Sequence, residues 1–275
     1  MRIRHLNCGT MRPFGGRLIS GNGSVLGQAR IVCHCLLLET DDGLVLVDTG
    51  LGTEDVRRPK ALNPGIRTFV RPVLDEAETA VRQIERLGYR AEDVRHIVLT
   101  HLDFDHAGGL RDFPHAKVHV SATELDAAVR PATMLEKSRY HAPDWAHGPD
   151  WVAHEASGER WFGFSAVRDL PGLPSSILVV PLAGHTRGHT GVAVETSEGW
   201  LLHAGDAYFN RAQMAPAPSC PPLIGAFQVM LQADRAERLR NVARLNELAR
   251  GGKVDVFCAH DEVEFDRAAA GTPAG

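Results

Sequence analysis

The sequence has no long hydrophobic run and no excess of basic charge. None of its 275 residues belongs to an apolar segment of the ~18 residues that a membrane helix requires. The formal net charge is −4 and the arginines are scattered, which argues against binding to a nucleic-acid backbone. The first residues also lack the apolar region of a secretory signal. We therefore expect a cytoplasmic protein that acts on a small molecule, without a nucleic-acid or membrane partner.

Cysteine is scarce as well: the sequence has five cysteines, which is an odd number. Cys33 and Cys35 are two apart within the apolar run 31–38, so a strand there would place both on one face. This arrangement favours buried free thiols. A Cys-x-Cys metal site is the alternative, but the other three cysteines lack the spacing that further thiolate ligands would need.

The apolar content of 44% is sufficient for a buried core. Residues 31–38 and 44–48 flank a turn sequence and predict an antiparallel hairpin. Residues 75–88 and 234–250 have apolar positions at helical spacing and predict helices. Because predicted strands and helices alternate along the chain, we expect a layered α/β fold that forms a single domain over residues 1–275.

Residues 131–175 differ in composition from the rest of the chain. They contain five prolines and several aromatic residues, and they show little regular periodicity. Proline together with aromatic residues suits a packed irregular segment better than a disordered linker. We therefore predict a structured insertion or lid at about 131–175.

The most informative segment is residues 101–106, which reads His-Leu-Asp-Phe-Asp-His. Four side chains that can bind a cation lie within these six residues, directly after the apolar run 94–100. Core packing does not explain such a density. Three later positions carry similar residues near predicted strand ends: His185, Asp206 and His260. We expect all of these side chains to meet at one edge of the sheets.

Together these segments resemble the metallo-β-lactamase superfamily, and the resemblance extends from the Asp48-Thr-Gly turn to His260. It implies a four-layer αββα sandwich, in which two sheets lie between outer helices. It also implies two divalent metal ions at one edge of the sheets. By this resemblance, one ion is bound by His101, Asp103 and His185, the other by Asp105, His106 and His260, and both by a bridging Asp206.

Asp103 departs from the superfamily's usual loop, in which a second histidine occupies this position. An aspartate oxygen reaches about as far as the histidine nitrogen attached to Cγ, so we still expect Asp103 to bind. With two divalent ions, three aspartates and a bridging hydroxide the centre is neutral, whereas a histidine would leave a charge of +1. Zinc is the first expectation for these ligands, and the added carboxylate shifts the preference towards iron or manganese.

The resemblance implies hydrolysis of an ester-like carbonyl. Two ions about 3.5 to 4 Å apart hold a bridging hydroxide beside a polarised carbonyl, and Asp105 or Asp206 would manage the proton. The lactonase branch, including enzymes that act on N-acyl homoserine lactones, is the most similar, and an apolar lid would suit an acyl tail. Tyr208 is a candidate to donate a hydrogen bond to the substrate, although the tyrosine of related lactonases falls nearer Phe209.

Two residues outside the ligand set are candidates for orienting it. Asp48 resembles a carboxylate that holds a metal ligand in place, although an aspartate at a strand end can also cap a turn. His189 is expected either to orient a ligand or to face the substrate, with a purely structural role as the alternative.

Other functions stay open at this point. A thioester hydrolase of the glyoxalase II kind and a β-lactam hydrolase are the enzymatic alternatives. A di-iron redox protein would also carry a carboxylate at position 103, but it needs a flavin domain and the chain ends about fifteen residues after His260. A non-catalytic metal-binding protein is a third class. The sequence does not decide the oligomeric state, for which a homodimer is one option.

Overall fold

The computed structural model describes residues 1–155 and 158–271, and this part contains two six-stranded sheets. The first sheet consists, in spatial order, of β1 (Arg2–Met11), β2 (Ile31–Thr40), β3 (Gly43–Val47), β4 (Val94–Val98), β5 (Lys117–Ser121) and β6 (Asp150–His154). The second consists of β12 (Val254–Phe257), β11 (Gly199–His203), β10 (Thr190–Thr196), β9 (Ile177–Pro181), β8 (Phe164–Asp169) and β7 (Glu159–Trp161). Both sheets mix parallel and antiparallel neighbours.

The helices are mostly short. They are α1 (Gly16–Ser20), α2 (Thr53–Arg57), α3 (Ala80–Arg86), α4 (Phe104–Ala107), α5 (Ala122–Val129), α6 (Met134–Arg139), α7 (Pro222–Leu231), α8 (Arg235–Arg250) and α9 (Glu262–Ala270). Single turns of 3-10 helix include Glu76–Glu78, Gly108–Asp112, Ala142–Trp145 and Arg211–Met214. None of the helices in the described residues is both long and apolar enough to cross a membrane.

Three hydrophobic clusters separate four layers. The central cluster fills the space between the sheets and includes Leu36 and Leu38 from β2 with Val192 from β10. A second cluster lies between the first sheet and α3, where Ile84 is fully buried. A third lies between the second sheet and α8, where Leu245 is fully buried. This is the αββα sandwich that the sequence predicts.

Strand β2 is covered on both faces, which explains its continuous apolar run. Leu36 and Leu38 face the central cluster, whereas Cys35 and Leu37 belong to the outer cluster under α3. β2 pairs with β3 as the predicted antiparallel hairpin. Cys33 and Cys35 are buried free thiols, as expected, because this strand lies in the interior.

The predicted helix at residues 75–88 is interrupted in the structure. The Asp75 carboxylate accepts a hydrogen bond from the Ala77 amide and caps only the 3-10 turn Glu76–Glu78. Thr79 is extended, and α3 begins after it. The Glu78 carboxylate accepts a hydrogen bond of 2.8 Å from the Thr10 hydroxyl, so it is directed at β1 rather than back at Asp75.

The prediction of an irregular insertion at 131–175 is wrong for its second half. Strand β6 is the edge of the first sheet, and β7 and β8 belong to the second sheet, so the chain passes from one sheet to the other within this segment. All five prolines of the segment lie outside these strands. The overall proline content therefore suggested irregular structure where short strands are present. Residues 131–149, which we call the α6 segment, precede β6 and belong to neither sheet.

Replacement of Leu38 by alanine tests the central cluster. Leu38 is fully buried between the sheets, so Leu38→Ala should lower the free energy of unfolding by about 2–5 kcal/mol through lost burial and a residual cavity. Chemical denaturation of the metal-saturated protein measures the change. Leu26→Ala is the control, since Leu26 is 87% exposed. Equal stability of the two variants would contradict the assignment of this cluster as the core.

Candidate metal centre

The candidate ligands lie where strand ends from both sheets meet. Residues 101–106 follow β4 and lead into α4, and His185 lies in the loop between β9 and β10. Asp206 follows β11 and His260 follows β12. Because β11 and β12 are parallel neighbours, their carboxyl ends place these two residues side by side.

The side chains form two buried groups. In each group, one ligand atom from every residue lies within 4.8 Å of the others: His101, His185 and Asp206 form one, and Asp105, His106 and His260 form the other. The Asp206 carboxylate joins the groups. Its Oδ2 is 3.5 Å from His185 Nε2 and 3.2 Å from His260 Nε2, and its Oδ1 is 3.4 Å from His106 Nε2.

The spacing of these atoms fits divalent cations. Ligand atoms about 2.1 Å from a tetrahedral ion lie about 3.4 Å from one another. The nitrogen-to-oxygen distances around Asp206 run from 3.2 Å for His260 to 3.7 Å for His101. The Nε2 atoms of His101 and His106 are buried without a hydrogen-bond partner, which is the state expected of nitrogens available to a cation.

The charges of the buried groups also favour cations. Burial alone would lower the pKa of His106, but the carboxylates of Asp206 and Asp48 raise it to about 10. Burial opposes ionisation of Asp206, yet His260 and His106 hold the pKa of its carboxyl well below the usual range. The centre therefore holds buried negative charge that must be neutralised by protons or by metal ions.

Asp48 orients His106, as one of the two sequence interpretations proposed. Its Oδ2 lies 2.8 Å from His106 Nδ1, and its Oδ1 accepts a 2.8 Å hydrogen bond from the Thr100 amide. The backbone of Asp48 is in the left-handed region, with φ at 55°. These contacts hold the ring so that Nε2 is directed at the centre, a common arrangement for histidine ligands of metals.

His189 orients Asp206 rather than facing a substrate. Its Nε2 accepts a 2.9 Å hydrogen bond from the Asp206 amide, and its Nδ1 donates to the Leu182 carbonyl at 3.0 Å. Gly205 makes this contact possible, because a Cβ there would lie 2.6 Å from His189 Nε2 and the backbone has φ of 53°. His189 thus fixes the backbone of the carboxylate that joins the two groups.

Glu124 is a residue that sequence reasoning missed. This carboxylate is fully buried on α5 and accepts hydrogen bonds from the Leu102 amide at 3.0 Å and the Gly188 amide at 3.1 Å. It also accepts one from the Thr186 hydroxyl at 2.6 Å. Glu124 therefore ties the loop that carries residues 101–106 to the loop that carries His185. The sequence around Glu124 predicts only a short helix and does not indicate that its carboxylate connects two loops.

Asp103 lies beside His101 and His185, and it has a partner that the sequence did not reveal. Its Oδ2 is 3.4 Å from His101 Nε2 and 3.1 Å from His185 Nε2. Arg139 Nη1, from α6, donates a 2.7 Å hydrogen bond to the same oxygen and lies 2.9 Å from His185 Nε2. Burial would raise the pKa of Asp103, but Arg139 and His101 hold it well below the usual range.

Arg139 changes the charge balance of the centre. The neutral sum expected from two divalent ions, three aspartates and a hydroxide becomes +1 once the guanidinium is included. That is the value expected for a loop with histidine at position 103. The Arg139 side chain is only 6% exposed and also donates to the carbonyl of Leu231, so it connects α6 to the end of α7. With two ions bound, Asp103 and Arg139 together would contribute the same net charge, zero, as a neutral histidine at position 103.

The catalytic role predicted for Tyr208 is wrong. Tyr208 is fully buried in the cluster under α8, and its hydroxyl lies 3.1 Å from Glu264 Oε1. It therefore faces away from the centre and cannot reach a substrate. The next side chain, Phe209, faces the centre and stacks on the His260 ring, with centroids 5.0 Å apart. The side chain that follows Tyr208 and faces the centre therefore carries no hydroxyl.

Comparison with known proteins identifies the family to which this chain belongs. The sequence pattern described as the metallo-beta-lactamase superfamily matches residues 30–260. The chain belongs to the metallo-beta-lactamase superfamily. Membership implies divalent metal ions, and the two groups around Asp206 are the candidate positions for them.

Two described relatives align with most of this chain. A probable metallo-hydrolase of Mycobacterium tuberculosis is 45% identical over 267 residues, which cover 95% of this chain and 80% of the relative. An N-acyl homoserine lactonase of Bacillus thuringiensis is 29% identical over 232 residues, which cover 82% of this chain and 80% of the lactonase. The chain is therefore similar to a metallo-hydrolase and, more distantly, to a lactonase.

Solved structures agree with the metallo-beta-lactamase fold. An N-acyl homoserine lactone hydrolase with N-hexanoyl-L-homoserine at its catalytic metal centre superposes with a TM-score of 0.70 at 23% identity, covering 97% of this chain and 95% of the other. A lactonase of B. thuringiensis with N-decanoyl-L-homoserine bound gives 0.71 at 22% identity, covering 97% and 95%. At these identities the likeness concerns the fold.

Because Arg139 contacts Asp103 Oδ2 and His185 Nε2, it would compete with a cation for these atoms, and its removal should strengthen metal binding. We expect Arg139→Gln to lower the dissociation constant of the more weakly bound ion on the order of tenfold, because a positive charge beside the ion is lost. Competition with a chelator measures the change. Arg187→Gln is the control, since Arg187 pairs with Glu136 outside the centre at 2.6 Å. Weaker metal binding in Arg139→Gln would show that Arg139 supports the centre instead.

Proposed function

We propose that this protein is a dinuclear metal-dependent hydrolase that opens a lactone or a similar ester. The observation that carries the proposal is the pair of buried groups that share the Asp206 carboxylate. The similarity to a lactonase of B. thuringiensis supports the substrate class. The single domain over residues 1–275, the cytoplasmic location and a homodimer stay predictions.

The proposed cofactors are two divalent metal ions, with zinc first and iron or manganese as alternatives. When bound, such ions polarise a carbonyl and lower the pKa of a water molecule. The proposed ligands are those that the sequence indicates: His101, Asp103, Asp105, His106, His185, Asp206 and His260. Asp103 binds through Oδ2 only if Arg139 yields or shares that oxygen, whereas its Oδ1 is buried without a hydrogen-bond partner.

Asp105 is the residue that we propose to move the proton. It lies on the first turn of α4, is 8% exposed, and has its Oδ2 3.6 Å from His260 Nε2. Burial raises the pKa of its carboxyl above the usual range in the protein without bound ions, and a bound divalent ion would lower that pKa. Asp105 would take a proton during attack on the carbonyl and return it to the leaving oxygen, while Asp206 holds the two groups together.

Exposed apolar side chains support a substrate with an acyl tail. Met134 on α6 is 78% exposed, and Val229 and Met230 on α7 are 60% and 65% exposed. Arg139 connects these two helices directly above the centre through its contacts with Asp103 and the Leu231 carbonyl. An apolar tail that lay along α6 and α7 would cover these side chains and gain about 25 cal/mol per Å² of apolar area removed from water.

A substrate panel tests the reaction. The purified protein, with its metal content measured, should hydrolyse N-acyl homoserine lactones, with thioesters, β-lactams and phosphodiesters as comparison substrates. Asp206→Ala should reduce kcat/KM for the lactone at least ~100-fold, since even residues that only orient metal ligands cost 10–100-fold. Asp42→Ala, in an exposed turn, is the control.

Two outcomes of the panel would overturn the proposal. Hydrolysis of thioesters without any hydrolysis of lactones would assign the protein to the glyoxalase II kind. Undiminished activity of Asp206→Ala would reject a mechanism in which that carboxylate joins two metal ions.

A further inference from the structure

A separate group of ionisable side chains lies behind the metal loop. It consists of Asp55 from α2 with His141 and Asp144 from the 3-10 turn in the α6 segment. One ligand atom from each of the three residues lies within 4.8 Å of the other two. None of these residues belongs to the ligand set around Asp206. The group therefore needs its own explanation.

Asp144 has a carboxylate oxygen without a partner. The residue is 2% exposed, and its Oδ1 lies 2.7 Å from His141 Nδ1, which donates to it. The second oxygen, Oδ2, is buried and makes no hydrogen bond. A buried carboxylate oxygen that has lost its water and gained no partner is destabilising. Coordination of a cation would satisfy this oxygen.

Asp55 presents a second carboxylate to the same space. It is 6% exposed, and its Oδ2 accepts a 2.9 Å hydrogen bond from the Gly52 amide. The same oxygen packs against Gly108, where a Cβ would lie only 2.5 Å away. Gly108 follows His106 by two residues, so the Asp55 carboxylate rests against the backbone of the metal loop. The lack of a side chain at position 108 makes room for it.

The charges around the group do not balance by themselves. Burial and the neighbouring Asp144 raise the pKa of Asp55 to about 7. Burial also raises the pKa of Asp144, and the hydrogen bond from His141 opposes it. Arg111 is the basic side chain nearby, but its guanidinium donates to the Pro143 carbonyl at 2.6 Å. Two carboxylates thus share one imidazole, which leaves charge that a cation would offset.

We propose that Asp55, His141 and Asp144 bind a third divalent cation. Two carboxylate oxygens and one imidazole nitrogen suit zinc or manganese, and water would complete the coordination. The ion would join the α6 segment, which carries Arg139, to α2 and to the backbone after His106. It would thereby fix the position of Arg139 relative to Asp103 and His185. This inference does not depend on the proposed lactone hydrolysis.

Metal stoichiometry tests the third site. Wild-type protein is equilibrated with micromolar Zn²⁺, exchanged into buffer, and analysed for zinc per chain beside Asp144→Asn and His141→Gln. We expect each variant to retain about one equivalent of zinc fewer than wild type, because a site with three protein ligands loses metal affinity when any one of them is removed. His147→Gln is the matched control, as an exposed histidine of the same segment, and should match wild type.

Thermal unfolding gives an independent reading in the Asp206→Asn background, where the shared carboxylate of the other site is gone. Added Zn²⁺ should still raise the Tm of this variant, and the further change His141→Gln should reduce the rise, since only the six remaining ligands of the other site could then bind zinc. His141 is only partly buried, so this variant remains informative if Asp144→Asn fails to fold. Equal zinc content and an equal Tm rise with and without His141 would overturn the proposal, and would assign a shared proton to the two carboxylates.

Discussion

Burial of the Asp206 carboxylate between two sets of histidines is the constraint on which the rest of the centre depends. A carboxylate this deep in the protein is stable only beside positive charge, and it lies 3.2 to 3.7 Å from the imidazole nitrogens of His260, His185 and His101. Those rings must in turn be held in place. Asp48 and His189 do so through hydrogen bonds to His106 and to the Asp206 amide. The fold supplies parallel strand ends that bring these loops together.

Local sequence predicted the parts of the structure that depend on neighbours along the chain. The hairpin of β2 and β3 follows from two apolar runs around a turn. Residues 101–106 could be recognised as a metal-binding loop because four potential ligands lie within six residues. The order of motifs then indicated the sandwich and the partners of that loop. The strands at 150–169 escaped prediction because prolines flank them and their alternation is short.

Contacts between distant segments could not be predicted in the same way. Arg139 is 36 residues from Asp103, and nothing in the α6 sequence distinguishes it from an ordinary surface arginine. Glu124 is similar, since only the folded chain shows that it accepts hydrogen bonds from two loops. Tyr208 was misassigned because it and the next residue, Phe209, face opposite ways, and the direction of each depends on the packing of α8 and α9.

The route of the chain through the α6 segment has a consequence for protein engineering. The segment leaves the first sheet at β5 and returns to it at β6, so both of its ends are anchored in one sheet. A replacement for this segment must therefore span the gap between α5 and β6 so that β6 still pairs with β5. If β6 were displaced, the amides and carbonyls of β5 that pair with it would be open to pairing with another chain. Changes of the proposed substrate preference are better sought by point substitution on α6 and α7.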